Sequence, residues 1–344
     1  MSRPMFPHVI DSTMLEAWRS CRQKMFRQYV QHWKPLNESV HLVAGGAFAE
    51  GLEKARRAFY NEGADPDQAM AVGIGALIHK YGDFEAPVGS PKTLERMMGA
   101  FEHYFSVYPL ETEYANPVKL SDGSHAIEFS FAEPLGILHP VSGDPILYVG
   151  RMDQVVEYAG AIRCEDDKTT TSLGASWAKQ WEMRGQFTGY CWALRKAGIS
   201  AGGALVRGIS ILKTKYDTLE VPTDRSIYET ERWYDQTCRD IEQMIAAWRA
   251  GYWDWNLGGS CTEYGGCAFV PVCKHQGPEK ILPIYFERRV WDPLLRKETS
   301  VQEYEASWGH VSNEAPVEEK LPLAQMDMTA LNEDLAYLRA NGAM

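Results

Sequence analysis

Alternating apolar and polar residues predict a β-hairpin near the middle of the chain. The segments 146–158 and 161–168 are both rich in β-branched and aromatic residues, and the short segment 158–161 between them contains Gly160. Such an arrangement is typical of two antiparallel strands joined by a tight turn. A helix is predicted to follow over 175–196.

Apolar residues at helical spacing predict several further helices, at 14–33, 45–57, 69–82, 92–108, 224–249 and 328–341. Asp11 is a suitable N-cap for the first of these. Strand-like runs occupy 111–118, 125–132, 204–212 and 281–290. Asp122-Gly123 is a good hairpin turn between the first two runs. We expect 134–145 to be a loop and 316–322 to be a linker.

The charged residues of the predicted hairpin are unusually placed. Asp153 lies in the middle of the first strand, and Asp166 lies near the end of the second. Pairing of the strands can bring the two carboxylates close together, and they would repel each other unless a cation lay between them. Mg²⁺ prefers such oxygen ligands and keeps several waters. Lys168 shares a strand face with Asp166, because side chains alternate along a strand. The pattern therefore indicates a metal site with a lysine beside it.

Three motifs, in this order, resemble the RecB-type branch of the PD-(D/E)XK nucleases. They are Gly150-Arg151-Met152-Asp153, then Asp166-Asp167-Lys168-Thr169-Thr170, then Gln186-Phe187-Thr188-Gly189-Tyr190 on the following helix. The resemblance implies an α/β fold with a mixed central sheet flanked by helices, as in restriction endonucleases. It also implies hydrolysis of DNA phosphodiesters with Mg²⁺ or Mn²⁺.

The same resemblance implies a role for each site residue. Asp153 and Asp166 would hold the metal, and the carbonyl of Asp167 would add a ligand. Lys168 would orient the attacking water and stabilise the developing negative charge. Gln186 and Tyr190 would position the DNA strand.

The helix predicted at 45–57 departs from the family pattern. In RecB-type nucleases this helix carries a metal-contacting His, followed four residues later by Glu. This chain has Ala49 at the place of the His and Glu53 four residues later. Residues four apart share a helix face. We therefore predict that Glu53, in preference to Glu50, is a metal ligand.

Three cysteines at intervals of six residues, Cys261, Cys267 and Cys273, suggest a bound cofactor. Zinc often uses close C-x-x-C pairs, which this segment lacks, whereas iron–sulfur clusters accept more varied spacing and a remote fourth cysteine. One subset of RecB-type nucleases, which includes CRISPR-associated adaptation nucleases, carries an N-terminal cysteine and three more after the core. Cys21 resembles that first ligand.

The resemblance thus implies a [4Fe–4S] cluster on the four cysteines, forming a C-terminal clasp on the N-terminal part. Zinc stays the alternative, with His275 as a further ligand.

Composition sets limits on the location and partners of the protein. Within its 344 residues no apolar run approaches the ~20 that a membrane span requires, and the N-terminus lacks the apolar core of a signal peptide. We expect a cytoplasmic protein without membrane contact. The formal net charge of −11 means that contact with DNA must be local.

We predict an exonuclease on single-stranded DNA in recombination, repair or phage DNA metabolism. The alternative is a catalytically inactive DNA-binding module or an accessory subunit with a recombination or repair protein as partner. Four segments are expected. They are a helical part (1–110), the nuclease core (111–250), the cysteine segment (251–280), and a strand, linker and helix (281–344).

Overall fold

The computed structural model describes residues 4–262, 266–294 and 297–309. Within these residues the chain forms two compact units. The terminal unit contains the residues up to Asn37, Phe131–Gly150, and the residues from Arg232 onward; the central unit contains Glu38–Ser130 and Arg151–Glu231. The predicted four-segment division stays a prediction, and the predicted linker at 316–322 and helix at 328–341 lie outside the described residues.

The helices occupy the following ranges: α1 Ser12–Ser20, α2 Arg22–Met25, α3 Val40–Tyr60, α4 Pro66–Tyr81, α5 Leu94–Val107, α6 Ala175–Lys179, α7 Gly185–Lys196, α8 Ile227–Ala250, α9 Val270–Cys273, α10 Pro278–Tyr285 and α11 Val301–Gly309. A π-helical turn, Phe26–Val30, follows α2. Among the described residues, no helix is both long and apolar enough to span a membrane.

The strands occupy the following ranges: β1 Val9–Ile10, β2 Trp33–Pro35, β3 Asn116–Pro117, β4 Ile127–Leu138, β5 Pro145–Tyr158, β6 Ala161–Thr170, β7 Ala201–Ile211, β8 Tyr216–Asp224, β9 Phe286–Arg288, β10 Val290–Asp292 and β11 Lys297–Thr299. The main sheet has the order β1-β5-β6-β7-β8, and β3 and β4 also pair with β5. Parallel pairs (β1/β5, β6/β7) and antiparallel pairs (β5/β6, β7/β8) both occur. The predicted mixed sheet with flanking helices is confirmed.

The β5–β6 hairpin forms where the sequence predicts it. Gln154 pairs with Glu165, and Tyr158 pairs with Ala161 across the turn. The two turn residues, Ala159 (φ 50°) and Gly160 (φ 75°), both have positive φ angles. This is the type I′ pattern, which matches the natural twist of paired strands.

Helices α3, α4 and α5 form the apolar core of the central unit. Phe101 on α5 is fully buried and meets the ring of Phe48 edge-on, with 5.7 Å between centroids. Burying such a side chain contributes about 1.5–3 kcal/mol. A Cβ on Gly51 would lie 3.0 Å from the carbonyl oxygen of Gly73, so the two glycines allow α3 and α4 to approach closely. The packing places α3 against β6.

The elements predicted at 134–145, 281–290 and 175–196 are wrong in type or extent. The segment 134–145 is not a loop throughout, because β4 continues to Leu138. The segment 281–290 is not one strand, because α10 ends only at Tyr285 and β9 follows. A short apolar run is compatible with a helix or a strand, and Ile281 and Leu282 show no periodicity that distinguishes the two. The helix predicted over 175–196 is divided, because Arg184 is extended (φ −65°, ψ 118°) before α7.

The strand β8 was not predicted. It contains Pro222, which argues against a central strand because proline has no N–H to donate to a neighbour. β8 is the last strand in the sheet order, where a proline is tolerated. The first predicted strand, at 111–118, is reduced to β3, and a 3-10 turn at Leu110–Thr112 precedes it.

The first helix of the terminal unit is capped and breaks early. The carboxylate of Asp11 accepts a hydrogen bond from the backbone N–H of Met14 (2.8 Å), as predicted for the N-cap. The helix does not run unbroken to residue 33, because Cys21 is extended (φ −164°, ψ 116°) between α1 and α2. The break therefore falls at a cysteine of the predicted cluster.

Candidate active site

The hairpin in the central unit brings Asp153 and Asp166 together. The carboxylate of Asp153 accepts a hydrogen bond from the backbone N–H of Asp167 (2.8 Å), across the strand pair. Burial raises the pKa of Asp153 well above its usual range, and the nearby Asp166 raises it further. Burial also raises the pKa of Asp166, although Lys168 opposes the effect. Two buried carboxylates this close cannot both ionise readily without a cation.

Lys168 forms a salt bridge with Asp166 on the same face of β6. Burial alone would lower the pKa of Lys168, but Asp166 and Asp153 raise it above its ordinary value. The lysine therefore keeps its proton at neutral pH. In the metal-free site it can supply positive charge and hydrogen-bond donors.

Helix α7 places Gln186 and Tyr190 at the same pair of strands. The amide of Gln186 donates to Asp166 (3.2 Å) and to the hydroxyl of Tyr190 (3.2 Å). That hydroxyl in turn donates to the carbonyl oxygen of Arg151 on β5 (2.8 Å). The structure thus brings together the five predicted residues Asp153, Asp166, Lys168, Gln186 and Tyr190.

The side chain of Asp167 points to the other face of β6. It accepts hydrogen bonds from Arg56 on α3 (2.7 Å) and from the hydroxyl of Tyr104 on α5 (2.6 Å). Arg56 also binds the buried Glu165 (2.8 Å). The predicted ligand from Asp167 is its carbonyl oxygen, which these side-chain contacts leave unaffected, so this ligand stays a prediction.

Glu53, the predicted substitute for the missing His, lies on α3 with its partners on the same helix. Its carboxylate accepts from Arg57 (2.9 Å) and from Lys54 (3.3 Å). Burial would raise the pKa of Glu53, but Arg57 and Lys54 lower it. These contacts join Glu53 to two cations of its own helix, and its role as a metal ligand stays a prediction.

Sequence reasoning assigned no role to Glu128 and Arg151. Glu128 is buried on β4, has a φ of 56°, and contacts the Nε of Arg151 through its carboxylate (2.5 Å). Its charge also raises the pKa of Asp153. The available signal was a charged residue within a predicted apolar strand, because such a residue is seldom buried without a partner.

The donor set suits a hard divalent ion. Across residues 4–262, 266–294 and 297–309, no group of three or more His, Cys, Asp or Glu side chains could hold a metal ion. Mg²⁺ often uses only one or two carboxylates and keeps several waters. The carboxylates of Asp153 and Asp166 match that smaller requirement, and the carbonyl of Asp167 stays a predicted third ligand.

A comparison with protein families adds to this geometry. A profile described as the PD-(D/E)XK nuclease superfamily matches residues 12–274. The chain belongs to the PD-(D/E)XK nuclease superfamily. Its mixed sheet, with Asp153 and the Asp166-Asp167-Lys168 run on paired strands, is the restriction-endonuclease-like core of this superfamily.

Solved structures give more distant likenesses for this PD-(D/E)XK chain. One is a crystal structure from Eubacterium rectale, named "Putative exonuclease", with 12% identity over 72% of this chain and 85% of that one, at a TM-score of 0.42. Another is a protein named SSO0001, with 14% identity over 58% of this chain and 74% of that one, at a TM-score of 0.26. A comparison with curated proteins found no match.

The four cysteines of the predicted cluster lie in the terminal unit. Next to Cys21, the carbonyl of Ser20 accepts from Asn256 (2.5 Å), and the backbone N–H of Gln23 donates to the carbonyl of Asp254 (3.1 Å). These bonds tie the helix break to the segment that leads to Cys261.

The thiols are close enough to interact electrostatically. Burial raises the pKa of Cys273, and Cys267, Cys21 and Cys261 raise it further. The backbone N–H of Cys267 donates to the carbonyl of Cys261 (3.0 Å). The structure gathers the thiols without placing three of them at ligand distances, as far as the described residues go. His275, the alternative zinc ligand, accepts a bond from the backbone N–H of Gly277 through Nδ1 (3.0 Å).

Proposed function

We propose that this chain is a metal-dependent nuclease that hydrolyses DNA phosphodiesters. The observation that carries the proposal is the meeting of Asp153, Asp166 and Lys168 on paired strands, with Gln186 bound to Asp166. Membership of the PD-(D/E)XK superfamily supports it.

Each residue has a definite task in this proposal. A Mg²⁺ or Mn²⁺ ion held by Asp153, Asp166 and the carbonyl of Asp167 would polarise a phosphate oxygen and neutralise the paired carboxylates. The ammonium of Lys168 orients the attacking water and stabilises negative charge that develops on the phosphate. Gln186 holds the carboxylate of Asp166 in place and, with Tyr190, positions the DNA strand.

We propose single-stranded DNA ends as the preferred substrate, in recombination, repair or phage DNA metabolism in the cytoplasm. The resemblance of the cysteine pattern to cluster-bearing nucleases supports this choice. A net charge of −11 favours a narrow local contact over a broad basic surface.

The test is digestion of end-labelled linear and circular single strands and of duplex DNA, with Mn²⁺, Mg²⁺ or EDTA. We expect metal-dependent loss of linear single strands. Lys168→Ala should lower the rate by about 10²–10³, as expected when a transition-state donor is lost. The matched control is Lys215→Ala, which removes an exposed lysine paired with Asp217 (2.8 Å) and should leave the rate unchanged. Absence of metal-dependent cleavage by the unmodified protein would refute the proposal.

Ala49 favours a second candidate function, a DNA-binding module that has lost catalysis. A methyl group cannot replace an imidazole as a ligand, and Glu53 is engaged by Arg57 and Lys54. Such a protein would bind DNA without cutting it, alone or as an accessory subunit of a recombination complex. Gain of cleavage in Ala49→His would show that the missing ligand is the cause.

We further propose that Cys21, Cys261, Cys267 and Cys273 hold a [4Fe–4S] cluster in the terminal unit. Cys273 lies within electrostatic reach of the other three thiols, and four thiolates are the donor set that such a cluster needs. Bound there, the cluster would tie the N-terminal helices to the segment after α8.

Anaerobic purification, absorbance near ~400 nm and iron and sulfide analysis test the cluster. We expect Cys273→Ser to lose the colour and Cys238→Ser to keep it, because the thiol of Cys238 contacts the carbonyl of Leu135 on another element (3.7 Å). A colourless protein with one zinc per chain would support the zinc alternative, with His275 as a ligand.

A further inference from the structure

Arg151 lies beside the paired carboxylates of the central unit. It precedes Asp153 by two residues on β5, so the two side chains share one face of the sheet. The side chain of Arg151 is 44% exposed, whereas Asp153 and Asp166 lie deeper. A cation at this position can meet a ligand that approaches the carboxylates from solvent.

Glu128 holds this arginine in place. Its side chain is only 4% exposed, and its carboxylate contacts the Nε of Arg151 at 2.5 Å. A guanidinium has five N–H donors, and the contact with Glu128 is through Nε. The two terminal nitrogens form the planar edge that binds phosphate oxygens in pairs.

The backbone of Arg151 is also fixed. The hydroxyl of Tyr190 donates to its carbonyl oxygen (2.8 Å), and Gln186 donates to that hydroxyl (3.2 Å). Arg151 is therefore positioned by Glu128 through its side chain and by Tyr190 through its main chain. A long side chain held in this way loses less entropy on binding a ligand.

The pairing with Arg151 also explains how the site accommodates the buried carboxylate of Glu128. Glu128 adds a third carboxylate, which is within electrostatic reach of Asp153. A buried carboxylate is unfavourable without a compensating cation, and Arg151 supplies that charge. Because Arg151 remains partly exposed, it can contact a ligand in addition to neutralising Glu128.

We propose that Arg151 is a phosphate-binding residue, which contacts a backbone phosphate of single-stranded DNA next to the one that is hydrolysed. Glu128 and Tyr190 are its positioning residues. This inference rests on the proposed nuclease function and names one contact with its substrate.

The test is the affinity for a fluorescent single-stranded oligonucleotide, measured by anisotropy at several salt concentrations with Ca²⁺ in place of Mg²⁺. Arg151→Gln should weaken binding by about tenfold or more, because a charge-assisted pair of hydrogen bonds is lost. The slope of log affinity against log salt should fall by about 0.7, the value for one phosphate of a single strand. Arg151→Lys should keep the slope but recover only part of the affinity.

The matched control is Arg289→Gln in the terminal unit. Arg289 also touches a glutamate through Nε (Glu287, 3.4 Å) and is 48% exposed. Its loss should leave affinity and slope unchanged. Glu128→Gln should weaken binding less than Arg151→Gln does, and the double variant should bind as Arg151→Gln does, because Glu128 acts through the arginine.

Unchanged affinity and slope in a folded Arg151→Gln protein would overturn the inference. Thermal melting of each variant separates loss of a contact from loss of the fold. If the unmodified protein binds DNA and only Lys168→Ala loses cleavage, the proposed function stands whatever Arg151 does. If the unmodified protein does not bind DNA, both proposals fail together.

Discussion

Arg56 and Asp167 form a salt bridge of 2.7 Å on the face of β6 opposite to Asp166 and Lys168. The same guanidinium binds Glu165 at 2.8 Å, and all three side chains are at most 5% exposed. One strand thus carries the candidate catalytic groups on one side and a buried ion network on the other. The network fixes the residues immediately before and after Asp166.

Replacing Arg56 by Met should destabilise the protein strongly. The change leaves the buried Asp167 without its cation and Glu165 with Arg207 alone (3.6 Å), and breaking a buried pair typically costs about 3–5 kcal/mol. The neighbouring Arg57 is 35% exposed and pairs with Glu53, so Arg57→Met should cost less than about 1 kcal/mol. Urea denaturation of both variants measures the difference, and equal costs would show that the network contributes little.

Binding of Mn²⁺ should release protons and strengthen as the pH rises. Burial raises the pKa of Asp153 and of Asp166, so in the metal-free protein a proton competes with the cation for this pair. Calorimetric titration in buffers with different ionisation enthalpies counts the released protons. Asp153→Asn should remove both the affinity and the proton release. An affinity independent of pH across the neutral range would contradict the prediction.

Tyr190→Phe should reduce activity modestly and stability by about 1 kcal/mol. It removes a hydroxyl that donates to the carbonyl of Arg151 and accepts from Gln186, and two hydrogen bonds at about 0.5 kcal/mol each, the lower end of the usual range, account for that loss. Because the ring remains, the packing of α7 is kept. Steady-state cleavage and urea denaturation measure the two effects. A loss of activity as large as that of Lys168→Ala would mean that the hydroxyl acts directly in the reaction.

Acid should destabilise the terminal unit through His8. This ring is buried and stacks between His139 (3.7 Å between centroids) and Trp308 (4.4 Å). The pKa of His8 is lowered from 6.5 to about 4, chiefly by burial and also by His139, whereas Asp144 opposes the effect. The unfolded chain therefore takes up the proton first, so stability is complete above about pH 6.5 and is lost as the pH falls towards 4.

The two pKa values differ by about 2.5, which corresponds to at most about 3–4 kcal/mol. His8→Phe keeps the stack but cannot be protonated, and its stability should fall less between neutral pH and pH 4.5. Denaturant midpoints at both pH values measure the effect. An identical acid response in both proteins would show that other groups control it.

The part of the candidate active site that is formed by residues close together in the sequence was predictable. The period of two in 146–158 and 161–168 and the turn at Gly160 determine which residues of the hairpin meet. Asp153 and Asp166 could therefore be paired from the sequence alone, and Lys168 could be assigned to the same face. Gln186 and Tyr190 were identified from their resemblance to the helix motif of the RecB-type nucleases.

The remainder depends on contacts between distant segments. Arg207 lies in an apolar strand and binds Glu113 (2.8 Å), 94 residues earlier, and Glu220 (2.9 Å). No local pattern identifies such partners, although a charge within an apolar strand indicates that some partner exists. Glu128 was missed for the same reason, because its neighbour Arg151 belongs to another strand.

The two-residue turn at Ala159-Gly160 restricts which insertions and deletions the protein can accept during evolution. With both residues in the left-handed region, the turn sets the pairing of β5 with β6 residue by residue. Insertion or deletion of one residue would exchange the two faces of β6. Glu165 and Asp167 would then face Gln186, and Asp166 and Lys168 would face Arg56. Substitutions in this turn can be tolerated, but a change in its length would disassemble the active site without altering any residue in it.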